Sequence, residues 1–400
     1  MRYHVAPGAT GIGGNSWTSV GDLTATLNHV INNPSAAGDE IWAAGDNNVL
    51  GAAYQGQYNL TAPLSINGNT APLSIYGGFA GWENTLCDRD ANIISPPTTA
   101  IPNFFLHPSI LDGGNMNRVI EMDRANVCRI DGFVITQGNS MTGEGGGMNV
   151  DASNNIIFEN VVIMNNQTGG AEGGGMYIVR TNNVLFRNMI FFNNFAIHGG
   201  GGGGLFIDNC NDATFVNVLF NANSADAGNA ILMDGCLNLK IINCTIADNV
   251  GTGAINAGVY CVNSDVEIYN SIIYPDNLYI EPVAHGNVIV DYCLLSNRIL
   301  LFPNLNPNGI NPPLPPLPPI PPNPNFVNPV PPPIIPPASM GDYHLSNTAT
   351  LQSQCIDAGD IDLYLTTLDI PPTDLEGKPR FVSIVNPFPD VVDLGAFEVQ

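Results

Sequence analysis

At 400 residues, 44% of them hydrophobic, the chain can bury a long core, yet only 12% of its residues are charged. With 35 acidic against 11 basic residues the net charge is -24, which repels phosphate backbones and excludes nucleic-acid binding through a basic groove. The low charge also excludes a charged disordered chain and a Lys/Glu-rich helical protein, and 43 glycines with 32 prolines argue for many turns and little helix.

In chain order, residues 1–18 read as a first strand and turn. The opening MRYHVAPGATGIGG has no basic region followed by an apolar stretch, so no signal peptide is visible. Either export by that route is not used or the sequence starts at a mature domain. Residues 19–33 place Val20, Leu23, Leu27, Val30 and Ile31 on one helical face, with Asp22 and Ser19 suited to its start. Such a helix would cover an open sheet end that otherwise invites aggregation. GDEIWAAG (38–45) and LSIYGGF (73–79) read as strands, and 80–110 as irregular. No run of 18 apolar residues is present, so no transmembrane helix is expected.

From about Leu111 to Asn297 the sequence repeats itself. GGGMNVDASNNIIFENVVIMNN (145–166) is followed by GGGMYIVRTNNVLFRNMIFFNN (173–194), GGGLFIDNCNDATFVNVLFNAN (202–223), GNAILMDGCLNLKIINCTIADN (228–249) and NAGVYCVNSDVEIYNSII (256–273). One column holds Asn160, Asn188, Asn217, Asn243 and Asn270, at steps of 28, 29, 26 and 27 residues. Gly132 and Tyr292 stand in that column one step before and after. Six residues on, a second column holds Asn166, Asn194, Asn223 and Asn249. Apolar residues alternate with period two between turn residues, so each unit predicts two or three short strands. Units under 30 residues long fit coils of a parallel β-helix stacked about 4.8 Å apart, each column a ladder of like side chains. Asn ladders can hydrogen-bond along such a stack with no chemistry attached. The length, which would otherwise suggest two to four domains, then counts coils in one solenoid.

The GGGM, GGGM and GGGL starts, with Phe191–Asn194 and Phe220–Asn223 as FxxN, resemble the right-handed parallel β-helix, pectin-lyase-like superfamily. Within it the pattern is most similar to the bacterial surface-protein branch with polymorphic outer-membrane protein repeats. The resemblance extends to the run YHVAPGATG–LSIYGGFAGWE and to the ending GDYHLS–CIDAGD–DLEGKPR–VDLGAFE. It implies an all-β solenoid with a short N-terminal capping helix. The expected divisions are 1–110 for the cap and first coils, 111–300 for regular coils, 301–340 for a proline-rich arm or strap, and 341–400 for a closing segment over the last coils. Residues 303–337 hold 17 of the 32 prolines, a polyproline II composition that serves either as a strap or spacer or as a docking arm.

The superfamily includes enzymes, so candidate chemistry needs weighing. The NTD, DD, GHG and RIK motifs that a resemblance to polygalacturonases would require do not stand here. A pectate-lyase reading needs an arginine base, for which Arg180 and Arg187 are the candidates, neither in a recognisable motif. Aligned repeats put Asp123, Asp151, Asp208 and Asp234 in one column, with Val179 and Val262 as gaps. Carboxylates about 5–5.5 Å apart on adjacent coils could hydrolyse a glycosidic bond or hold calcium; the plainer reading is a column of Asx turns. Glu144 and Glu172 form a second adjacent pair, read as solvated loop residues. Asp357, Asp360 and Asp362 are weak calcium candidates without EF-hand spacing, and no other cofactor is implied. His198 and its glycine run fail the context of a dinucleotide site. The eight cysteines include no C-x-x-C, the spacing expected of zinc sites. Cys210 and Cys236 hold one repeat position and could form a disulfide or a ladder of free thiols. Trp17, Trp42 and Trp82 are read as core packing. Sequons at Asn59, Asn166 and Asn243 carry little weight in an Asn-rich chain.

The function expected on this basis is non-enzymatic: an extracellular or surface structural or adhesive protein, self-associating into filaments through coil ends and the proline arm, or binding a glycan or cell-surface ligand. The alternatives are a polysaccharide lyase or glycoside hydrolase on the β-helix face, and a virion or phage-tail receptor-binding protein.

Overall fold

The fold is a right-handed parallel β-helix. The structure, a computed structural model, describes residues 1–45, 57–89, 105–281, 288–300, 323–329, 342–348, 353, 355–356, 358–359, 373–380 and 392–398. One coil shows the plan: a leading strand Met176–Val179, a long strand Asn182–Phe192 bent in its middle, and a short strand Phe195–Ile197. Each pairs in parallel with its equivalent in the coils before and after. Met148–Asp151, Met176–Val179 and Leu205–Asp208 are in direct register, as are Asn154–Met164, Asn182–Phe192 and Asn211–Asn221.

The bends explain the first Asn column. Asn160, Asn188, Asn217, Asn243 and Asn270 have φ of 51, 53, 56, 52 and 49°, and Gly132 and Tyr292 take the same corner at 83 and 49°. Left-handed backbone favours Gly and Asn, so the corner selects the residue type. Their side chains also join along the stack: Asn188 Nδ2 donates to Asn160 Oδ1 (3.3 Å) and Asn217 Nδ2 to Asn188 Oδ1 (3.0 Å). The second column lies inside. Asn166, Asn194 and Asn223 are wholly buried, and Nδ2 of each donates to Oδ1 of the next Asn, at 3.0, 2.9 and 2.9 Å, the last acceptor being Asn249. Each Oδ1 also accepts the backbone N–H of the coil before (3.1, 3.1 and 3.0 Å), so no amide of the turn is orphaned. Asn166 and Asn243 are buried and cannot accept a glycan.

The remaining interior is apolar. Phe158, Phe186 and Phe215 stack rung on rung, as do Phe191 and Phe220 (4.6 Å, 7° between planes). The GGGM motif serves close approach. A Cβ at Gly146 would sit 2.3 Å from Gly174 O of the next coil, and one at Gly147 2.6 Å from Gly175 O.

The helix runs Leu23–Asn32, within the 19–33 span read from the sequence and starting at Asp22 rather than Ser19. Asp22 caps it by accepting the Ala25 N–H at 2.8 Å, and Leu23, Leu27 and Val30 seal the first coils. Strands at Gln57–Asn59, Leu64–Asn67 and Ser109–Asp112 extend the solenoid back into stretches without an evident repeat. Trp42 is buried against Phe79 (4.6 Å) beside Trp17, but Trp82 is 64% exposed and does not pack in the core. Most of the proline-rich stretch lies outside the described residues; Phe326–Asn328 within it pairs antiparallel with Asp342–Leu345.

After each bend the long strand is apolar on both faces. Val161 and Ile163 point inward, while Val162 and Met164, with Ile190, Phe192 and Leu219, point out. The outward set is covered by Tyr343, Leu375, Ala396 and Phe397. The closing segment therefore lies along the flank of the solenoid. Its buried Arg380 donates from Nη2 to Asn217 Oδ1 at 2.8 Å and to Gly395 O at 2.9 Å, joining the strap to a coil corner.

Candidate functional site

The leading strands carry two outward columns. One is Glu121, Asn149, Tyr177, Phe206, Leu232, Tyr260 and Tyr279; the other is Asp123, Asp151, Val179, Asp208, Asp234, Val262 and Glu281. The aspartate column read from the repeats is thus a true ladder, with Asp123 beside Asp151 and Asp208 beside Asp234. Each Asp is the last residue of its strand.

The two pairs differ in surroundings. Asp123 meets Arg124 (2.5 Å) and Asp151 meets Arg180 (2.5 Å), so the first pair is neutralised. Arg187 is held between coils by Glu159 (2.5 Å). Both arginines considered as bases are therefore committed to ion pairs. Asp208 accepts from Asn209 Nδ2 (2.6 Å) and the Tyr177 hydroxyl (3.4 Å). Partial burial raises its carboxyl above the usual range. Burial raises Asp234 as well, helped by the charges of Asp208 and Glu281.

The aromatic column sits against these acids. Tyr177 and Phe206 meet edge to face at 5.4 Å, and Tyr260 and Tyr279 at 5.1 Å. Tyr177, Phe206 and Tyr279 are partly exposed; Leu232 and Tyr260 between them are more covered. Burial pushes the Tyr177 phenol well up, and Asp208, Glu144 and Glu172 push it further. Glu144 and Glu172 thus border the same strip from the loop side. Tyr260 donates to Glu281, and burial with that carboxylate raises its phenol too.

Cys210 and Cys236 lie in a different, inward column: Ala125, Ser153, Thr181, Cys210, Cys236, Ser264. Here each side chain accepts the backbone N–H one coil earlier, Ser153 Oγ from Ala125 (3.0 Å), Cys210 Sγ from Thr181 (3.4 Å), Cys236 Sγ from Cys210 (3.4 Å) and Ser264 Oγ from Cys236 (3.1 Å). Both cysteines are free thiols doing the work of hydroxyls. Asp357, Asp360 and Asp362 lie outside the described residues. His198 is an exposed turn residue at φ 62°.

The aromatic strip is built of Tyr and Phe and contains none of the three tryptophans, so their positions do not point to it. Its signal was present: the position after the Met, Leu, Ile or Val that follows the glycines is Asn149, Tyr177, Phe206, Leu232 and Tyr260.

Residues 114–274 match the family model for the right handed beta helix region. Among solved structures, an alginate lyase from Paenibacillus sp. str. FPU-7 is similar over 73% of this chain and 99% of its own, at 12% identity and a TM-score of 0.30. The rice weevil pectin methyl esterase covers 68% of this chain and 75% of its own, at 9% identity and a TM-score of 0.18. PfbA, a surface adhesin of Streptococcus pneumoniae, covers 72% and 91%, at 10% identity and a TM-score of 0.20. Likenesses this distant carry no functional information. No curated protein matches the chain in sequence.

Proposed function

We propose that the protein is a non-enzymatic, surface-located adhesive β-helix that grips a glycan chain along its leading sheet face. The observation that carries this reading is one outward column in which the partly exposed Tyr177 and Phe206 stand on adjacent rungs and Tyr279 follows beyond the more covered Leu232 and Tyr260. Aromatic faces are the common means of holding sugar rings, and the fixed rung spacing presents them to an extended polymer. The acids around the row argue against lyase chemistry on uronates. Phenols raised in pKa are poor bases near neutral pH, and a carboxylate border repels an anionic chain. The test is a glycan-binding panel with the double variant Tyr177→Ala, Tyr279→Ala, which is expected to lose at least tenfold in affinity with no product released by the parent protein.

A second reading, retaining glycoside hydrolysis, is favoured by the adjacency of Asp208 and Asp234 with both carboxyls raised. New reducing ends that vanish in Asp208→Asn would establish it and remove the adhesive reading.

A further inference from the structure

The glycan-binding reading leaves the class of sugar open, and charge narrows it. The strip is bordered by Asp208, Asp234 and Glu281 along one side and by Glu144 and Glu172 on the other. The nearest guanidinium, Arg180, is bound to both oxygens of Asp151 (2.6 and 2.5 Å). Asp208 and Asp234 stand on neighbouring rungs, where strands run about 4.8 Å apart, and each raises the cost of ionising the other. A ligand that brings positive charge between the rungs relieves that repulsion; a neutral ligand leaves it, and an anionic one deepens it.

Resting on the adhesive reading, we infer that the strip takes a linear glycan with free amino groups, such as a polyglucosamine. An ammonium on such a chain meets two attractive surfaces at once. Carboxylates at the strand ends pair with it, and the aromatic faces of Phe206 and Tyr177 beside Asp208, and of Tyr279 beside Glu281, attract a cation through the ring quadrupole. An aromatic and an acid share a rung at Phe206/Asp208 and again three rungs on at Tyr279/Glu281, so a chain lying along the solenoid axis meets such a pair twice. Binding then gains from several weak contacts held in one rigid frame.

The experiment measures binding of three hexasaccharides to the full chain: polyglucosamine, its fully N-acetylated form, and oligogalacturonate with and without calcium. The expected result is polyglucosamine binding at least tenfold tighter than the acetylated form in low salt, with the advantage shrinking as salt rises. Asp208→Asn with Asp234→Asn, which keeps side-chain shape, should remove that advantage and leave binding of the acetylated form unchanged. The control is Glu267→Gln, on another face and paired with Lys240 (3.7 Å). A loss as large in the control would overturn the inference by assigning the preference to the overall charge. Equal or tighter binding of the acetylated chain, or of oligogalacturonate with calcium, overturns it while the adhesive reading stands. Binding of none of the three, together with no effect of the tyrosine variants on any glycan, removes the adhesive reading itself.

Discussion

The inner Asn ladder does not end on an asparagine. After Asn166, Asn194, Asn223 and Asn249 the next rung is Asp276, which accepts the Asn249 N–H at 3.0 Å and its Nδ2–H at 2.6 Å. The residue is 6% exposed, and a Cβ at Gly258 would lie within 2.8 Å of the carboxyl, so the start of its own coil closes against it. Burial, with the nearby Asp248 charge, pushes the Asp276 carboxyl from 3.8 up to about 7. An acid whose pKa rises on folding keeps its proton in the native state while the unfolded chain has lost its own. Stability from this site is therefore full below pH 3.8 and falls as pH climbs through about 7. A shift of about three units corresponds to roughly 4 kcal/mol at 1.36 kcal/mol per unit. Asp276→Asn removes the ionisation and continues the ladder, since Asn offers the same acceptor oxygen. The expected outcome is a denaturant midpoint close to the parent's at pH 3, a gain of about 1 kcal/mol at pH 4.5 and a gain approaching about 4 kcal/mol at pH 8. Paired unfolding curves across that range check it. A gain independent of pH, or a loss at pH 8, would show that the carboxyl is not held neutral and would refute the reasoning.

Three further outcomes are expected. Asn194→Ala strips acceptors from the backbone N–H and Nδ2 of Asn166 at 3.1 and 3.0 Å, and leaving buried donors unpaired costs about 3 kcal/mol in chemical denaturation. Asn188→Val, forced to a φ of 53°, should be less stable than Asn188→Gly by about 1–3 kcal/mol, measured the same way. Arg380→Ala leaves the buried Asn217 Oδ1 and Gly395 O without their guanidinium donor at a cost of about 1–3 kcal/mol, and limited proteolysis should cut the segment after residue 342 faster while far-UV circular dichroism keeps its β signal.

The coil was legible because its corners are selective. A left-handed residue recurs once per rung at the bend, only a few residue types tolerate it, and so Asn160 to Asn270 could be read as a column from spacing alone. The Asp208–Asp234 adjacency followed from the same alignment. What the sequence left open is which side of the coil a column faces. The corner column, half-buried at Asn160 and Asn188 and buried from Asn217 to Asn270, and the ladder buried throughout look alike, although Asn is mostly exposed in folded proteins. The aromatic strip has the same period as the core beneath it, so only register separates Tyr177 from Ile178. The covering of Val162, Ile190 and Leu219 by Tyr343, Leu375 and Phe397 joins residues more than 100 positions apart, and no local pattern announces such a strap.

These features share one physical logic. A solenoid buries turns as well as strands, and buried turn amides need acceptors that the neighbouring coil can supply. The Asn ladder and the Ser/Thr/Cys ladder meet that need one rung at a time, each side chain completing the coil before it. A ladder of this kind must stop somewhere, and this one stops at Asp276 although the coil of Leu294–Leu300 still pairs beyond it. A neutral aspartic acid at position 276 accepts from Asn249 as an amide would and supplies one proton of its own in place of two. Raised carboxyl pKa values thus fall at Asp276, where the side-chain ladder ends, and at Asp208 and Asp234, which face each other across rungs. At Asp276 the consequence is stability that depends on pH; at Asp208 and Asp234, on the open face, it is a site where a cation gains most. The same stacking that makes the fold rigid therefore sets where its excess of carboxylates can act.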